Sequence, residues 1–164
     1  MKNGVYLLLG SNLGHREENL LHTRNSIQNF GTVLTASSLY QTQAWGNTNQ
    51  PDFLNQIIQI AYKKSPNQLL VEILAVENEM GRLRTEKWGP RIIDIDILFF
   101  GQIILNDRNL TIPHPEIVRR RFTLLPLFEI APDFIHPLLR KSSKQLLEEC
   151  TDQSVVELYK SEIN

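Results

Sequence analysis

Cysteine is almost absent from this 164-residue chain, which has Cys150 alone. A single thiol excludes an internal disulfide framework and favours a reducing compartment. With only four histidines, scattered along the chain, it also excludes a Cys/His zinc cluster. The apolar run at residues 5–9 is too short for a signal peptide or a membrane span. We therefore expect a cytoplasmic protein with no membrane partner.

An excess of charge of one sign is also missing, because the net charge is −1 at pH 7. Such a balance gives no overall attraction to nucleic acid, and we expect no nucleic-acid partner. Two phosphate-binding motifs are lacking as well, the Gly-x4-Gly-Lys-Ser/Thr loop and the Gly-x-Gly-x-x-Gly turn. If the chain handles phosphate, arginines and a metal ion must do so.

Length and patterning indicate a single domain over residues 1–164. Apolar runs predict strands at residues 5–9, 32–40 and 53–62 and another that ends at residue 100, with polar loops at 41–52 and 82–90. Helices are predicted at residues 15–30 and after Ser65, where Pro66 and Gln68 complete a capping box. Prolines at 113, 115, 126, 132 and 137 break the remainder into short helices and turns. The order β-α-β-β-α-β predicts an α+β fold, a ferredoxin-like antiparallel sheet with helices packed on it, plus extra C-terminal elements.

The most informative stretch is residues 88–98, Trp-Gly-Pro-Arg-Ile-Ile-Asp-Ile-Asp-Ile-Leu. On a strand, Asp94 and Asp96 point to one face while the neighbouring isoleucines point into a core. Adjacent carboxylates repel unless a cation lies between them, and Mg²⁺ shared with substrate phosphates is the natural occupant. The alternative is a solvated strand face without a ligand. The apolar flanks, together with Arg91, which can hold phosphate through two hydrogen bonds, favour a site.

Other side chains suited to phosphate flank this strand. Arg82 and Arg84 follow the second helix, and His114 lies between two prolines ahead of the arginines at 119–121, of which we expect one or two to face a site. Glu77 falls on the apolar face of the second helix. A carboxylate there is either a buried hydrogen-bond acceptor or part of the site.

Four aromatic residues in or beside loops offer either stacking surfaces or core contacts: Trp45, Phe53, Trp88 and Phe122. Asn55 lies two residues after Phe53, on the same strand face. A side-chain amide beside an aromatic ring suits the polar edge of a flat heterocycle.

Together these motifs resemble a known family. Residues 88–98 look like the signature of 6-hydroxymethyl-7,8-dihydropterin pyrophosphokinase, an enzyme of the folate pathway. The remaining family motifs occur in family order along nearly the whole chain: Gly10-Ser11-Asn12-Leu13, Tyr40-x-Thr42, Pro51-x-Phe53-Leu54-Asn55, Glu77 with Gly81-Arg82-x-Arg84, Pro113-His114-Pro115, Arg120-x-Phe122 and Pro126-Leu127-x-Glu129-Ile130-Ala131-Pro132.

The resemblance implies transfer of pyrophosphate from ATP to the hydroxymethyl group of a reduced pterin, which gives AMP and a pterin diphosphate. It implies a catalytic set of Arg82, Arg91, Asp94 and Asp96, with two Mg²⁺ ions on the two aspartates. The residues implied on the ATP side are Glu77, Arg82, Arg84, Trp88, Arg91, Ile97, Thr111, His114 and Arg120. Those implied on the pterin side are Thr42, Gln43, Trp45, Phe53, Asn55, Asp94 and Phe122, with the ring stacked between the two phenylalanines. We expect these small molecules as partners and a monomer.

The chain departs from the family pattern at four positions. Gln43 replaces a frequent proline, and Phe53 replaces a tyrosine, which keeps the stacking surface but removes a hydroxyl. Asn109 occupies a position where some members carry an ATP-contacting arginine, and Arg121 takes the place of a small residue. A second hypothesis is a non-catalytic ferredoxin-like ligand-binding module, which the intact charged residues argue against. Mg²⁺-dependent formation of AMP, with and without the pterin, separates the two.

Overall fold

The computed structural model describes residues 4–43, 49–81 and 91–163. The elements in chain order are β1 Val5–Ser11, α1 Arg16–Ile27, β2 Thr32–Ala36, β3 Tyr40–Thr42, β4 Phe53–Ala61, α2 Pro66–Glu79, β5 Asp94–Phe100, β6 Leu105–Asn106, β7 Thr111–Ile112, a 3-10 turn at Ile117–Arg119, α3 Arg121–Ile130, α4 Ser143–Glu149 and β8 Val156–Leu158. The predicted α+β class is confirmed, and the closer likeness to a ferredoxin-like sheet stays a prediction.

Six strands of the described ranges form one antiparallel sheet in which β1 and β4 are central. The strand order is β5-β1-β4-β3-β8, and β2 also pairs with β4. All seven residues of β1 are buried, as expected for a strand covered on both faces. A separate ribbon of β6 and β7 lies beside β5. None of the helices in the described ranges has the length and apolar character to cross a bilayer.

The sheet separates two hydrophobic cores. On one face, α1 and α2 pack on alternate strand residues, and this core includes Leu7, Leu20, Ile58, Ile73, Ile95 and Ile97. On the other face lie α3 and α4, with a core that includes Leu8, Ile57, Phe99, Phe122, Leu127 and Leu146. Asp94 and Asp96 alternate with Ile95 and Ile97, so they lie on the second face. The acid pair therefore faces the side of the sheet that α3 covers.

Sequence and structure agree best where the turn chemistry is explicit. The Ser65 hydroxyl accepts from the Gln68 N–H, and the Gln68 side chain accepts from the Ser65 N–H, so the predicted capping box at α2 is confirmed. Gly81, just past α2, has φ +77°, and Gly101, just past β5, has φ +56°. Glycine adopts this left-handed backbone without strain and so ends both elements cleanly.

Several predicted boundaries are wrong. β1 continues through Gly10, because that residue pairs with β4 and β5 on either side. The segment at 32–40 splits into β2 and β3, and β3 extends into the predicted loop at 41–52 because it pairs with both β4 and β8. α1 is shorter than predicted and ends at Ile27. Pro126 lies inside α3 instead of breaking it, since burial of Leu124 and Leu127 offsets the lost backbone hydrogen bond.

Residues 152–158, which we call the C-terminal strap, return across elements formed much earlier in the chain. β8, at the end of the strap, pairs with β3. Just beyond it, the Tyr159 N–H donates to the Leu39 carbonyl, and Ser161 and Glu162 both donate to the Glu17 carboxylate. The chain end is therefore attached to β3 and to the start of α1.

The capping box of α2 allows a direct test of local stability. Ser65→Ala removes the acceptor of the Gln68 N–H and should lower the free energy of unfolding by about 1 kcal/mol in urea titrations. Asn67→Ala, an exposed change in the same helical turn, is the matched control and should stay within about 0.5 kcal/mol of the parent. Equal losses in both variants would contradict the cap.

Candidate active site

A row of functional side chains crosses the sheet on the face that α3 covers. The strand register places Asp94 beside Gly10, and Gly10 beside Asn55. Phe53 lies two residues before Asn55 in β4 and pairs with Thr42 in β3. Directly opposed residues share a sheet face, so these groups all open to the same side. The strand that carries Asp94 and Asp96 therefore lies on the same side as Phe53 and Asn55, the residues predicted to contact a heterocycle.

Gly10 leaves a gap in the middle of this row. A Cβ at this position would lie 3.0 Å from Asn55 Oδ1 and 3.6 Å from Phe53 Cδ1. Asn55 is only 3% exposed, and its Nδ2 has no hydrogen-bond partner among the described residues. A buried donor left unpaired costs about 1–3 kcal/mol. The arrangement therefore fits a ligand that enters the gap and presents an acceptor to Asn55.

Each carboxylate of the acid pair has a different nitrogen neighbour. Arg91 Nη1 lies 3.0 Å from Asp94 Oδ2, and His114 Nε2 lies 3.9 Å from Asp96 Oδ1. The two carboxylate side chains keep 23% and 28% of their surface exposed. They are therefore accessible to an ion or to phosphate from solvent, while the Arg91 hydrogen bond holds Asp94 in place.

Crowding changes the protonation of Asp96. Desolvation, and after it repulsion from Asp94, raises the pKa of Asp96 to about 7, although the charges of Arg120 and Arg91 act in the opposite direction. Glu77 adds to the repulsion. A divalent cation between the carboxylates would replace this repulsion by attraction and favour their ionised forms.

The donor set of the acid pair fits Mg²⁺, which prefers oxygen ligands. Among the described residues, no group of three or more His, Cys, Asp or Glu side chains forms a complete metal cage. Mg²⁺ commonly binds through one or two carboxylates and completes its shell with water and substrate phosphates. Asp94 and Asp96 are therefore the residues able to hold it.

His114 is held as a neutral donor aimed at the acid pair. Burial, and after it the charge of Arg120, lowers the pKa of His114. Its Nδ1 accepts from the Glu116 N–H at 3.1 Å, so the ring proton of the neutral form lies on Nε2, the nitrogen nearest Asp96. Its backbone N–H donates to the Leu98 carbonyl at 3.0 Å and fixes this turn to β5.

Three predicted ATP-side residues lie at or beside the outer edge of β5. Glu77 is buried, and its Oε2 accepts from the Ile95 N–H at 3.2 Å, so it is a buried acceptor whose charge also reaches Asp96. The Ile97 side chain lies in the core on the opposite face from the acid pair. Thr111 is exposed at the start of β7.

Arg120 and Phe122 reach the site from the start of α3. The Arg120 guanidinium carbon lies 5.6 Å from the centroid of the Phe122 ring. The charge of Arg120 acts on both Asp96 and His114. Phe122 is buried in the core beneath α3. The first turn of this helix therefore carries a cation toward the acid pair and an aromatic ring beside it.

The other two arginines of the cluster have different neighbours. The Arg121 N–H donates to Asp152 Oδ2 at 2.8 Å, and the charge of Arg121 acts on that same carboxylate. Arg119 is exposed, with its Nη1 3.6 Å from Glu116 Oε1. Of the three arginines, Arg120 is the one whose charge acts on the acid pair.

On the β3 side, Thr42 is buried and its hydroxyl donates to the Val155 carbonyl at 3.3 Å. Gln43, the next residue, is exposed, and Phe53 across the strand pair is half-buried. Four predicted site residues lie outside the described residues: Trp45, Arg82, Arg84 and Trp88.

Sequence reasoning missed Asn12 as a positioning residue. Asn12 is 1% exposed; its Oδ1 accepts from the Arg91 N–H at 2.7 Å, and its own N–H donates to the Arg91 carbonyl at 3.0 Å. Its Nδ2 donates to Gln50 Oε1 at 2.8 Å and to the Pro51 carbonyl at 3.1 Å. One amide thus joins the segment before β4 to the segment before β5. The Gly-Ser-Asn motif marked the position, but its partners are distant in sequence.

Removal of this amide should affect both stability and catalysis. Asn12→Ala leaves the Arg91 N–H and the Pro51 carbonyl without their partner, which should cost about 1–3 kcal/mol of unfolding free energy. Displacement of Arg91 should also lower turnover by at least about tenfold. Chemical denaturation and steady-state assays test this, with Asn25→Ala, an exposed change on α1, as the control. Turnover equal to that of the parent would contradict a positioning role.

The raised pKa of Asp96 predicts a pH-dependent stability in the metal-free protein. The folded state holds a proton that the unfolded state has already released, so stability falls as pH rises from about 4 to about 7. In EDTA, Asp96→Asn should therefore gain stability relative to the parent between pH 5 and pH 8, by on the order of 1–2 kcal/mol. Parallel stability curves for the two proteins would show that the folded acid pair binds no extra proton.

Known proteins resemble this chain in sequence over most of its length. Residues 6–132 match the family described as 7,8-dihydro-6-hydroxymethylpterin-pyrophosphokinase. The 2-amino-4-hydroxy-6-hydroxymethyldihydropteridine pyrophosphokinase of Aquifex aeolicus is 41% identical over 147 residues, which is 90% of this chain and 92% of the relative. The protein of the same name from Haemophilus influenzae is 37% identical over 156 residues, covering 94% and 97% of the two chains.

A solved structure shows the same fold. The HPPK-DHPS triple mutant of Plasmodium falciparum, crystallised with pteroate, superposes with a TM-score of 0.72 at 17% identity. The match covers 90% of this chain, which spans 43% of the length of that larger protein. The resemblance carried by the motifs is confirmed by the family match and by the relatives. The chain belongs to the 7,8-dihydro-6-hydroxymethylpterin pyrophosphokinase family.

Proposed function

We propose that the pyrophosphokinase reaction of this family takes place at the row formed by Asp94, Gly10 and Asn55. The protein transfers pyrophosphate from ATP to 6-hydroxymethyl-7,8-dihydropterin in folate biosynthesis, as its family does. The single observation that carries the location is the buried Asn55 Nδ2, which has no hydrogen-bond partner in the described part of the chain and lies beside a glycine gap and next to the acid pair.

The pterin binds in the gap above Gly10. Phe53 and Phe122 supply aromatic faces, and stacking on such faces is worth about 1–3 kcal/mol for a flat base. Asn55 donates to an acceptor on the heterocycle edge. The other residues proposed around the pterin are Thr42, Gln43, Trp45 and Asp94. The register places Asp94 next to the gap, where its carboxylate can face the pterin hydroxymethyl group.

ATP binds along the outer side of β5, with its phosphates facing Asp94 and Asp96. Arg91 and Arg120 bring permanent positive charge, and His114 brings a neutral N–H donor. The other residues proposed on this side are Glu77, Arg82, Arg84, Trp88, Ile97 and Thr111. Phosphoryl-group transfer depends mainly on positioning and on neutralisation of charge, so a set of fixed cations needs no protein nucleophile.

Asp94 and Asp96 would hold Mg²⁺, and the family resemblance implies two ions. Bound there, Mg²⁺ supplies charge neutralisation at the phosphates and Lewis-acid polarisation of oxygen. The chain's own part is to keep the two carboxylates on one face, with Arg91 hydrogen-bonded to Asp94 and His114 Nε2 near Asp96. Arg120 reduces the cost of ionising Asp96.

We further propose that residues 1–164 act as a single-domain, cytoplasmic monomer that binds only its two small substrates. The acid pair and the gap lie on one sheet, and Arg91 and Arg120 belong to the same chain, just before β5 and at the N-cap of α3. The alternative of a binding module without turnover is less well supported. A binding module would have no reaction that uses the paired carboxylates, although burial and, after it, their proximity raise the pKa of Asp96.

The decisive experiment combines a substitution with product identification. Asp94→Asn or Asp96→Asn removes one carboxylate and should lower Mg²⁺-dependent turnover by at least about 100-fold with the fold intact by circular dichroism. Asp133→Asn, an exposed aspartate outside the site, should retain parental turnover. Phosphorus NMR of the parent reaction should show AMP and the pterin diphosphate in equal amounts.

Two results would overturn parts of this proposal. Near-normal turnover of either site variant would reject the acid pair as the metal ligands. Stoichiometric ADP in the parent reaction would mean that a single phosphoryl group is transferred.

A further inference from the structure

We propose that Asp152 is a positioning residue for the pterin and that the C-terminal strap sets the spacing between two walls of the pterin gap. One wall is the first turn of α3, which carries Phe122. The other wall is β3, which ends at Thr42. The inference rests on the proposed function, because it takes these two elements to border the pterin.

The strap supplies the missing cap of α3. Arg120, at the N-cap position, makes no side-chain capping bond, and a guanidinium has no acceptor with which to make one. Asp152 Oδ2 instead accepts from the Arg121 N–H at 2.8 Å. A carboxylate at a helix N-terminus also interacts favourably with the helix dipole. A residue 31 positions away therefore performs the role of a local capping residue.

Asp152 is itself held in place by its own neighbours. Its Oδ1 accepts from the Ser154 N–H at 2.9 Å and from the Ser154 hydroxyl at 2.6 Å. Burial alone would raise the pKa of Asp152, but these hydrogen bonds and the Arg121 N–H lower it, so the carboxylate is ionised at neutral pH. Both oxygens are fixed, and the position of Arg121 follows that of the strap.

Three residues further on, the same strap reaches the opposite wall. The Val155 carbonyl accepts from the Thr42 hydroxyl at 3.3 Å, and Val156 pairs with Thr42 in the strand register. The short segment from Asp152 to Val156 thus contacts α3 at one end and β3 at the other. A change in its position would alter the width of the gap between Phe122 and Thr42.

A second set of hydrogen bonds joins α3 to β3 and the residues before it. It lies near the C-terminal end of α3, so it cannot replace the strap at the N-terminal end. The Tyr40 hydroxyl and the Ser38 backbone and side chain donate to the Glu129 carboxylate. Glu129 is two turns after Phe122, roughly 10 Å along the helix axis. That link fixes the C-terminal half of α3, whereas Asp152 fixes the turn that faces the gap.

ATP should depend less on the strap than the pterin does. Of the three groups proposed to meet the phosphates, Arg91 and His114 are fixed by Asn12 and by Leu98. The third, Arg120, lies at the start of α3, next to the capped Arg121. Two of the pterin-bordering elements, in contrast, are attached to it directly. Loss of Asp152 should therefore weaken pterin binding more than ATP binding.

The test compares four full-length variants at a temperature well below unfolding. Asp152→Ala removes both acceptors, and Asp152→Asn keeps one of them. Glu157→Gln removes the same formal charge from an exposed position on the same strap and is the matched control. Phe122→Ala tests the pterin gap itself. Calorimetry measures the Kd of 6-hydroxymethylpterin with a non-hydrolysable ATP analogue bound, and the Kd of the analogue alone.

We expect Asp152→Ala to raise the pterin Kd by about three- to tenfold, from the loss of one cap converted to affinity, and Asp152→Asn by less. The Kd of the ATP analogue should rise by a smaller factor than that of the pterin in both variants, and Glu157→Gln should match the parent. Amide hydrogen exchange at Arg121 should become faster in Asp152→Ala with the analogue and pterin absent. A rise in pterin KM larger than the fall in kcat would agree with these affinities.

Failure of this inference and failure of the proposed gap give different results. Parental pterin affinity in Asp152→Ala, with a large loss in Phe122→Ala, would reject the role of Asp152 and leave the gap in place. If Phe122→Ala binds the pterin with the parental Kd, the proposed pterin gap is wrong, and the inference about the strap fails with it. If Asp152→Ala weakens the binding of the pterin and of the ATP analogue equally, Asp152 stabilises the protein in general. That result would also overturn the inference.

Discussion

Repulsion between Asp94 and Asp96 is the constraint on which the site depends. Two carboxylates on one strand face, partly removed from water, are costly to ionise together, and the raised pKa of Asp96 expresses that cost. Two neighbouring cations act to lower it: Arg91 contacts Asp94, and the charges of Arg120 and Arg91 both favour the ionised form of Asp96. The pair is thus kept ready for a cation instead of being neutralised permanently by a salt bridge on each carboxylate.

Holding such a pair requires a rigid edge strand, and each contact along β5 contributes to it. Glu77 accepts from the Ile95 N–H on the outer edge, the His114 N–H donates to the Leu98 carbonyl, and Ile95 and Ile97 anchor the strand in the core. The entry to β5 is fixed by Asn12 through both backbone groups of Arg91. These bonds satisfy backbone groups that an unpaired sheet edge would leave open, and they orient the carboxylates at the same time.

The local features of this fold could be predicted from the sequence, whereas features that depend on distant partners could not. The capping box at Ser65, the glycines that end α2 and β5, and the shared face of Asp94 and Asp96 follow from neighbouring residues alone. The extension of β3 depends on pairing with β4 and with β8, the second of which lies more than 100 residues later. The sequence predicts a break at Pro126 because the local penalty of a proline is visible there, while the burial that offsets it is not.

The same distinction explains the residues of the site. Chemistry-bearing side chains such as Asp96 and His114 are visible in the sequence because their type and flanks are unusual. Gly10 acts by leaving space, whereas Asn12 and Asp152 act by holding other groups in place. Residue type alone does not reveal such roles. Gly10 clears the gap that Asn55 borders, Asn12 fixes the entry to the metal strand, and Asp152 completes a helix whose own N-cap residue has no acceptor. A site of this kind is therefore assembled by small polar groups and a missing side chain as much as by the groups that meet the substrate.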